Sequence, residues 1–254
     1  MVGLKVDGNT VLITGGATGI GYALAEGFLE AGSKVIICGR RKNKLDAAKR
    51  QRPTLQVKRC DISLESERRS LLKWATGRFP DLNVLVNNAG IQREVDFTSP
   101  TVARPTVRAD DEVAINLASQ IRLCALLTPR LLKKKEAAIV NISSGLAFVP
   151  IASMPIYCAT KAAIHSFTTS LRHQLRNTSV RVFEAAPPAT DTELDASFAG
   201  KEEQAYRGIS PREVAEAIIE GMKVDTHEIF IGQAQGLHQA SLQDPKGIFN
   251  KLNS

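Results

Sequence analysis

A serine, a tyrosine and a lysine within one short stretch have the types and spacing of an acid–base centre. Tyr157 and Lys161 are four residues apart, so on a helix both side chains lie on one face. A free phenol has a pKa near ~10, and a neighbouring ammonium group favours the phenolate and lowers that pKa. Ser144, arriving from a separate loop, could hold a carbonyl oxygen against the phenol. The three residues predict carbonyl reduction or alcohol oxidation.

A site for the hydride-carrying cofactor of such a reaction is indicated near the N-terminus. This second motif strengthens the catalytic interpretation, because a Tyr-x-x-x-Lys pair by itself is common on surface helices. The β-branched run Thr10–Thr14 leads into a turn with glycines at 15, 16, 19 and 21, and then into a helical segment. Glycines there allow a tight turn and let backbone N–H groups and the helix N-terminus approach a pyrophosphate. The order strand, turn, helix predicts a dinucleotide site, with a plain strand–helix turn as the alternative.

The elements that must position these residues alternate along the whole chain. Apolar runs predict strands at Thr10–Thr14, Lys34–Cys38, Leu55–Arg59, Val84–Asn87, Ala138–Ile142, Val180–Ala185 and Glu228–Ile231. Amphipathic segments predict helices at Gly19–Ala31, Lys42–Gln51, Leu64–Arg78, Thr106–Lys134, Pro155–Arg176 and Pro211–Met222. Apolar strands separated by helices indicate a parallel sheet covered on both faces. We predict an α/β fold, a Rossmann-like doubly wound parallel seven-stranded sheet in a three-layer αβα sandwich, with residues 1–254 as one domain.

Several of these segments resemble the short-chain dehydrogenase/reductase family. Thr14-Gly-x-x-x-Gly19-x-Gly21 is similar to the family's cofactor turn, and Asn87-Asn-Ala-Gly90 to its element after the fourth strand. The resemblance covers essentially the whole chain. A narrower likeness, to the DltE-like oxidoreductase subgroup, is carried by four segments: Asn141–Pro150, Tyr157–Ala163, Leu171–Leu175 and Ala186–Thr192.

The resemblance implies both the catalytic and the cofactor-binding residues. The catalytic set would be Asn116, Ser144, Tyr157 and Lys161, with the Ser-to-Tyr spacing selecting Ser144 over Ser143. The residues that would hold the cofactor follow strands 1 to 4 and 6 or lie on the catalytic helix: Gly15, Thr18, Gly19, Ile20, Gly21, Arg40, Arg41, Asp61, Ile62, Asn88, Ala89, Gly90, Tyr157, Lys161, Pro187, Thr190 and Thr192.

The implied mechanism gives each catalytic residue one task. Ser144 and Tyr157 hydrogen-bond the carbonyl oxygen, and Tyr157 donates the proton. Lys161 lowers the pKa of Tyr157 and binds the ribose hydroxyls, while Asn116 supports a water that relays protons to Lys161. The partner is a small carbonyl or alcohol substrate of unidentified structure. A noncatalytic dinucleotide sensor or scaffold is the alternative function.

The end of the second predicted strand favours NADP(H) over NAD(H). NAD-selective dinucleotide folds place an acidic residue there for the ribose hydroxyls, and this chain has Gly39. Arg40 follows and can bind a 2′-phosphate through charge-assisted hydrogen bonds, while Arg41 could stack on the adenine. The alternative is a pair of exposed arginines that open a helix. After the sixth strand, Pro187-Pro188 replaces the family's Pro-Gly, which stiffens the pocket wall and leaves the substrate's shape open.

Composition and charge exclude several other classes of protein. The net charge of +7 is dispersed and aromatic residues make up only 5% of the chain, which argues against a nucleic-acid partner. No apolar run approaches the ~20 residues of a membrane span. No signal peptide is visible, so a cytoplasmic location is expected. The four cysteines are irregularly spaced and predict buried thiols. The four histidines form no metal-ligand cluster, so no metal site is predicted. His165 and His173 could share a helix face, but without carboxylate or cysteine partners they are expected to be structural.

Two long loops and two long helices complete the sequence-based picture. Ile91–Pro105 and Thr190–Ile209 are expected above the carboxyl ends of the strands. The second resembles the family's substrate loop, and a variable surface loop is the alternative for the first. The family's usual assembly through its two long helices implies a homotetramer, with a homodimer as second choice. Six apolar positions on these helices are expected to leave apolar surface available for assembly: Ile115, Leu123, Leu127, Ile164, Phe167 and Leu171. A partly apolar substrate pocket is expected around Phe148, Val149, Ile151, Met154 and Pro188.

Overall fold

Seven strands form one sheet in the computed structural model, which describes residues 3–99, 109–194 and 208–254. They are β1 Thr10–Thr14, β2 Lys34–Gly39, β3 Gln56–Arg59, β4 Val84–Asn87, β5 Ala137–Ile142, β6 Val180–Ala186 and β7 Glu228–Phe230. All neighbours pair in parallel, in the order β3-β2-β1-β4-β5-β6-β7. The predicted Rossmann-like, doubly wound seven-stranded sheet is confirmed.

Helices cover both faces of the sheet. They are α1 Gly19–Glu30, α2 Lys42–Gln51, α3 Glu65–Arg78, α4 Ala109–Glu112, α5 Ser119–Leu131, α6 Pro155–Leu175, α7 Pro211–Lys223, α8 Gln233–Gln243 and α9 Pro245–Leu252. A π-helical turn, Val113–Ala118, joins α4 to α5, and a 3-10 turn, Gly145–Ala147, follows β5.

Side chains of one strand alternate between two hydrophobic cores. Val11 and Ile13 of β1 pack with α1, α2 and α7, whereas Leu12 between them packs with α3, α5 and α6. All three are fully buried, and burying one such side chain stabilises the fold by roughly 1.5–3 kcal/mol. The two cores fix the sheet between its helix layers, so that the carboxyl ends of the strands form one rigid edge.

The predicted strands and helices are present with ends displaced by at most one residue, except in the helix predicted for Thr106–Lys134. Its first three residues lie outside the described part of the chain. The observed helix ends at Leu131, because Lys133 and Lys134 turn back with N–H bonds to the carbonyls of Arg130 and Leu131. The bounds of this long helix were therefore the least well predicted.

Sequence reasoning missed the last two helices, α8 and α9. Gln233–Gln243 carries one fully buried side chain, Ala234, and Pro245–Leu252 buries none, so neither adds an apolar stripe to the core. The start of α9 did carry a local signal. Asp244 accepts a hydrogen bond from the N–H of Gly247 at 2.9 Å, and Pro245 occupies the first helical position.

The apolar positions cited for a tetramer lie in the monomer core, which is a correction. Ile115, Leu123, Leu127, Ile164 and Leu171 are at most 9% exposed. Phe167 is partly buried against the same core as most of them. These side chains face the protein's own interior, so the surface argument for assembly is wrong at these positions. Assembly itself stays a prediction.

The expectation of buried cysteine thiols is confirmed. All four cysteines are buried and unpaired as thiols: Cys38, Cys60, Cys124 and Cys158. Burial raises the pKa of the Cys158 thiol, and its Sγ contacts the carbonyl of Ile151. Trp74 is half-buried at the core's edge, with its ring edge-on to Phe79. None of the described helices is long and apolar enough to cross a membrane.

The two predicted loops are only partly described. Residues 100–105 of the first loop and residues 195–207 of the second lie outside the described residues. In the first, Val95 donates its N–H to the carbonyl of Ser153, 2.9 Å away, just before α6. In the second, Thr190 and Ile209 form a parallel β-bridge. Both loops thus begin at the carboxyl edge of the sheet.

Candidate active site

Tyr157 and Lys161 lie one turn apart on the buried face of α6. Pro155 starts this helix, since a proline in the first turn loses no helical hydrogen bond. Tyr157 is 6% exposed and Lys161 is 3% exposed. The Lys161 Nζ lies 5.5 Å from the centroid of the Tyr157 ring. The spacing read from the sequence therefore brings phenol and ammonium side by side.

The Lys161 ammonium is anchored at the end of β5. Its Nζ donates to the carbonyl oxygen of Ile142 at 2.9 Å. Burial lowers the pKa of Lys161 to about 8, although the charge of Glu184 acts in the opposite direction. An amine with this pKa is mostly protonated at neutral pH and releases its proton more readily than an exposed lysine.

Ser144 and Ser143 have different surroundings. Ser144 caps the 3-10 turn, and its Oγ accepts the N–H of Leu146 at 3.1 Å. Ser143 is 1% exposed, and its Oγ donates to Glu184 Oε1 at 2.6 Å. Ser143 is thus committed to an internal hydrogen bond, and the Ser144 hydroxyl keeps its own hydrogen to donate.

Asn116 lies in the π-helical turn and is fully buried. Its Oδ1 accepts the N–H of Ile91 at 2.8 Å, and its Nδ2 donates to the carbonyl of Ile91 at 2.8 Å and to Thr160 Oγ1 at 3.2 Å. A Cβ added to Gly90 would lie 3.4 Å from Asn116 Oδ1 and 3.7 Å from Lys161 Nζ. Asn116 and Lys161 therefore converge on one small space beside Gly90. A π-turn at this point is a feature that residue spacing did not reveal.

The glycine turn after β1 is held by the end of β4. Gly15 and Gly19 adopt φ of 65° and 55°, a left-handed conformation that favours glycine. A Cβ on Gly21 would lie 2.4 Å from Asn88 Nδ2, so a side chain there would collide with the turn. Asn88 Nδ2 donates to the carbonyls of Thr14 and Gly15 at 2.9 and 3.2 Å. The Asn88 side chain thus fixes the turn's shape.

The neighbours of these residues support the same turn. The hydroxyl of Thr14 accepts the N–H groups of Asn88 and Ala89 at 3.0 and 3.1 Å. Thr18 precedes α1 in extended conformation without a side-chain cap, and Ile20 packs on the core beneath. The N-terminal N–H groups of α1 therefore adjoin a turn in which positions 15, 16, 19 and 21 carry no side chain.

The predicted arginines follow β2 and Asp61 follows β3, so all of them lie at the carboxyl edge of the sheet. Arg40 is exposed, and Arg41 forms an ion pair with Glu193 and donates to Thr18 Oγ1 at 3.2 Å. Asp61 Oδ1 accepts the N–H and hydroxyl of Ser63 at 2.9 and 2.7 Å. Ile62 beside it is buried.

The segment after β6 reaches back over the glycine turn. Pro187 accepts the N–H of Gly145 at 3.1 Å, and Thr190 Oγ1 donates to the carbonyl of Pro188 at 2.9 Å. Thr192 lies against the turn, since a Cβ added to Gly19 would be 3.0 Å from Thr192 Cγ2. Residues far apart in the sequence thus enclose one groove.

Apolar side chains surround Tyr157, in partial agreement with the expected pocket. Met154 and Cys158 form a buried cluster with Tyr157, and Ile151 packs against it. Phe148 does not belong to this cluster. Its ring contacts those of His165, Phe230 and His238, with centroids 5.0, 4.9 and 4.6 Å away, so it packs towards β7 and α8.

Sequence reasoning missed a buried carboxylate behind the site. Glu184 of β6 is fully buried, and its Oε2 lies 2.8 Å from His165 Nδ1. The expectation that His165 lacks a carboxylate partner is therefore wrong. The available signal was an acidic residue inside an otherwise apolar strand. Among the described residues, no group of three or more His, Cys, Asp or Glu is placed to hold a metal ion.

A parallel sheet with a glycine turn after β1 and a Tyr–Lys pair beside a serine at its carboxyl edge defines the class of dinucleotide-fold dehydrogenases. The short chain dehydrogenase family model matches residues 9–203, and the chain belongs to this family of oxidoreductases. It is 47% identical over 251 residues to "Uncharacterized oxidoreductase DltE" of Bacillus subtilis, covering 99% of both chains. The chain is thus a member of the DltE-like subgroup.

Solved structures share the fold. A short chain dehydrogenase of Burkholderia cenocepacia in complex with NADP has a TM-score of 0.82 and 26% identity, covering 99% of this chain and 100% of that one. The 3-ketoacyl-(acyl-carrier-protein) reductase of Brucella melitensis, complexed with NADH, has a TM-score of 0.79 and 26% identity, covering 87% of this chain and 93% of that one.

Proposed function

We propose that this chain is a cytoplasmic NADP(H)-dependent oxidoreductase that interconverts a ketone or aldehyde and the corresponding alcohol, with Tyr157 as the proton donor and acceptor. The observation that carries the proposal is the buried pair on α6, in which the Lys161 ammonium lies 5.5 Å from the Tyr157 ring. A dinucleotide-binding scaffold without catalysis could use Lys161 for the ribose alone, but it has no need of a phenol buried beside that ammonium.

The groove fits a nicotinamide dinucleotide. Its floor is the glycine turn, where the side-chain-free positions 15, 19 and 21 and the N-terminus of α1 suit a pyrophosphate. The space beside Gly90, which Asn116 and Lys161 border, suits the ribose. When bound, the dinucleotide supplies or accepts the hydride.

Tyr157 and Lys161 would carry the proton. The ammonium stabilises the phenolate, so the phenol can release its proton to a developing alkoxide and regain it afterwards. The apolar surroundings of Tyr157 strengthen this electrostatic effect, since fewer waters screen the two groups. Proton transfer of this kind contributes about 10²–10⁴-fold to the rate.

Ser144 and Asn116 would position the reacting groups. The Ser144 hydroxyl can donate to the carbonyl oxygen while it accepts the N–H of Leu146. Asn116 keeps the loop at Ile91 in place and borders the space in which a water can reach Lys161. Such orientation of reactants supplies much of the remaining rate enhancement.

The experiment that tests the proposal is a steady-state panel of ketones and aldehydes with NADPH and NADH. Oxidation of NADPH that depends on both the carbonyl compound and Tyr157 supports it. If cofactor binds but no carbonyl or alcohol in the panel turns over, the alternative of a dinucleotide sensor or scaffold is favoured.

The preference for NADP(H) leads to a prediction at Arg40. Replacing this exposed arginine by alanine should weaken NADPH binding by roughly 1.5–3 kcal/mol, as for a hydrogen bond to a charged group, and leave NADH binding nearly unchanged. The measurement is the Kd of both cofactors, with Arg212→Ala as control, since Arg212 pairs with Glu216 on α7. Tighter NADH than NADPH binding by the wild type would refute the preference.

The assembly prediction rests on the family resemblance and on other exposed side chains. Val113 and Leu132 flank α5 and are 43% and 45% exposed. We expect a homotetramer, or failing that a homodimer. Light scattering across micromolar concentrations measures this directly, and a monomer throughout the range would contradict it.

A further inference from the structure

The buried carboxylate of Glu184 lies behind the catalytic pair and is held from two sides. Ser143 donates to its Oε1 at 2.6 Å, and His165 Nδ1 lies 2.8 Å from its Oε2. Glu184 itself is 0% exposed. Withdrawing a carboxylate from water is costly unless hydrogen bonds and an opposite charge offset the loss.

One partner of Glu184 adjoins the residue that binds Lys161, and the other lies on the same helix as Lys161. Ser143 follows Ile142, whose carbonyl accepts the Lys161 ammonium. His165 is one helical turn beyond Lys161 on α6, so Tyr157, Lys161 and His165 form one stripe along the helix. The carboxylate therefore bridges β5 and α6 at the level of Lys161.

We propose that Glu184 is a positioning residue for the proton-transfer pair: its carboxylate, fixed by Ser143 and His165, is the buried counter-charge that keeps Lys161 protonated beside Tyr157. The role in turnover rests on the function proposed above, whereas the electrostatic coupling does not. Because Ser143 belongs to the same strand end as Ser144, the carboxylate also ties the serine-bearing turn to α6.

The charges around Lys161 support this assignment. Burial alone lowers the pKa of Lys161, and Glu184 is the charge that opposes the shift. Tyr157 is the titratable neighbour on α6 itself, and Glu112 of α4 acts on Cys158. The pKa of His165 is raised by its hydrogen bond to Glu184 and by the charge of Glu228 on β7, and it is lowered by burial and by the charge of Arg172 on α6. His238 of α8 contacts the ring of Phe148, which in turn contacts His165.

The test measures the titration of Lys161 in the cofactor-free protein. Protein labelled with ¹³Cε-lysine is followed by NMR from pH 6 to 11, and the Lys161 signal is assigned by its absence in Lys161→Met. In Glu184→Gln, the pKa of Lys161 should fall by about 1–2 units, the effect expected for loss of an opposite charge. Neither substrate nor cofactor is needed.

Glu228→Gln is the matched control, because Glu228 pairs with Glu184 in the register of the neighbouring strand but is exposed and bound to Arg172. It should leave the Lys161 titration unchanged. Should Glu184→Gln fail to fold, Glu184→Met removes the same charge without leaving a buried polar group. If neither folds, Glu184→Asp, which moves the charge by one methylene, should give a smaller shift of the same sign.

An unchanged Lys161 titration in the first of these variants that folds overturns the proposal. A lowered pKa in Glu184→Gln, together with no carbonyl turnover by the wild type, would keep the coupling and refute only the proposed function. A lowered pKa with carbonyl turnover by the wild type would support both.

Discussion

Tyr157→Phe should reduce turnover by about 10²–10⁴-fold while the fold and the affinity for cofactor survive. The change removes a single hydroxyl from a ring that stays packed against Met154 and Cys158. Asn116 is a carboxamide without an ionisable proton, and its Nδ2 already donates to Ile91 and Thr160, so it cannot replace the lost acid. The measurement is kcat on any carbonyl compound accepted by the wild type, with cofactor Kd measured in parallel.

Tyr22→Phe makes the same chemical change away from the site and serves as the control. The Tyr22 hydroxyl donates to Gln51 Oε1 at 2.8 Å, across the outer surfaces of α1 and α2. This variant should keep its full kcat. Near wild-type kcat in Tyr157→Phe would assign the proton transfer to another group, and the noncatalytic interpretation would regain weight if no substrate were found at all.

The sequence predicted the fold because its apolar runs and glycine turn are local signals. β1 and the turn up to Gly21 are fixed by residues adjacent in the chain, and the parallel sheet follows from the alternation of strands and helices. Sequence reasoning missed the helices α8 and α9, because only one of their side chains, that of Ala234, is buried in the core. α8 carries few large apolar residues, and α9 is only eight residues long, which is too short a segment to establish a helical period.

The candidate site was predicted where residue type and spacing are enough. Tyr157 and Lys161 share a helix face by geometry alone. Glu184 could not be placed, because its partners Ser143 and His165 come from β5 and α6, and only the register of β5 with β6 brings them together. For the same reason, the role of Asn88 as the support of the glycine turn was not visible in the sequence.

Lys161→Met should stabilise the cofactor-free protein at pH 7 while it abolishes turnover and weakens cofactor binding. Lys161 is 3% exposed, and burial lowers its pKa from 10.5 to about 8. At about 1.4 kcal/mol per pKa unit, the buried ammonium costs the fold about 3 kcal/mol. Loss of the hydrogen bond to Ile142 offsets about 1 kcal/mol of this. The net gain in the free energy of unfolding should be about 2 kcal/mol.

The pH dependence of this gain identifies its cause. The pKa of Lys161 is lower in the folded than in the unfolded protein, so between pH 8 and 10.5 the unfolded chain binds a proton that the native state has released. The contribution of Lys161 to wild-type stability therefore rises with pH across that window. The advantage of Lys161→Met is largest below it and reverses above it, where the lost hydrogen bond to Ile142 leaves the variant about 1 kcal/mol less stable than the wild type. Chemical denaturation at pH 7 and pH 10.5 measures the difference.

Lys134→Met is the control, since Lys134 also bonds a backbone carbonyl, that of Pro80, but at an exposed site. A Lys161→Met variant less stable than wild type at pH 7 would show that the ammonium stabilises the fold, and the description of Lys161 as a destabilising catalytic group would be wrong.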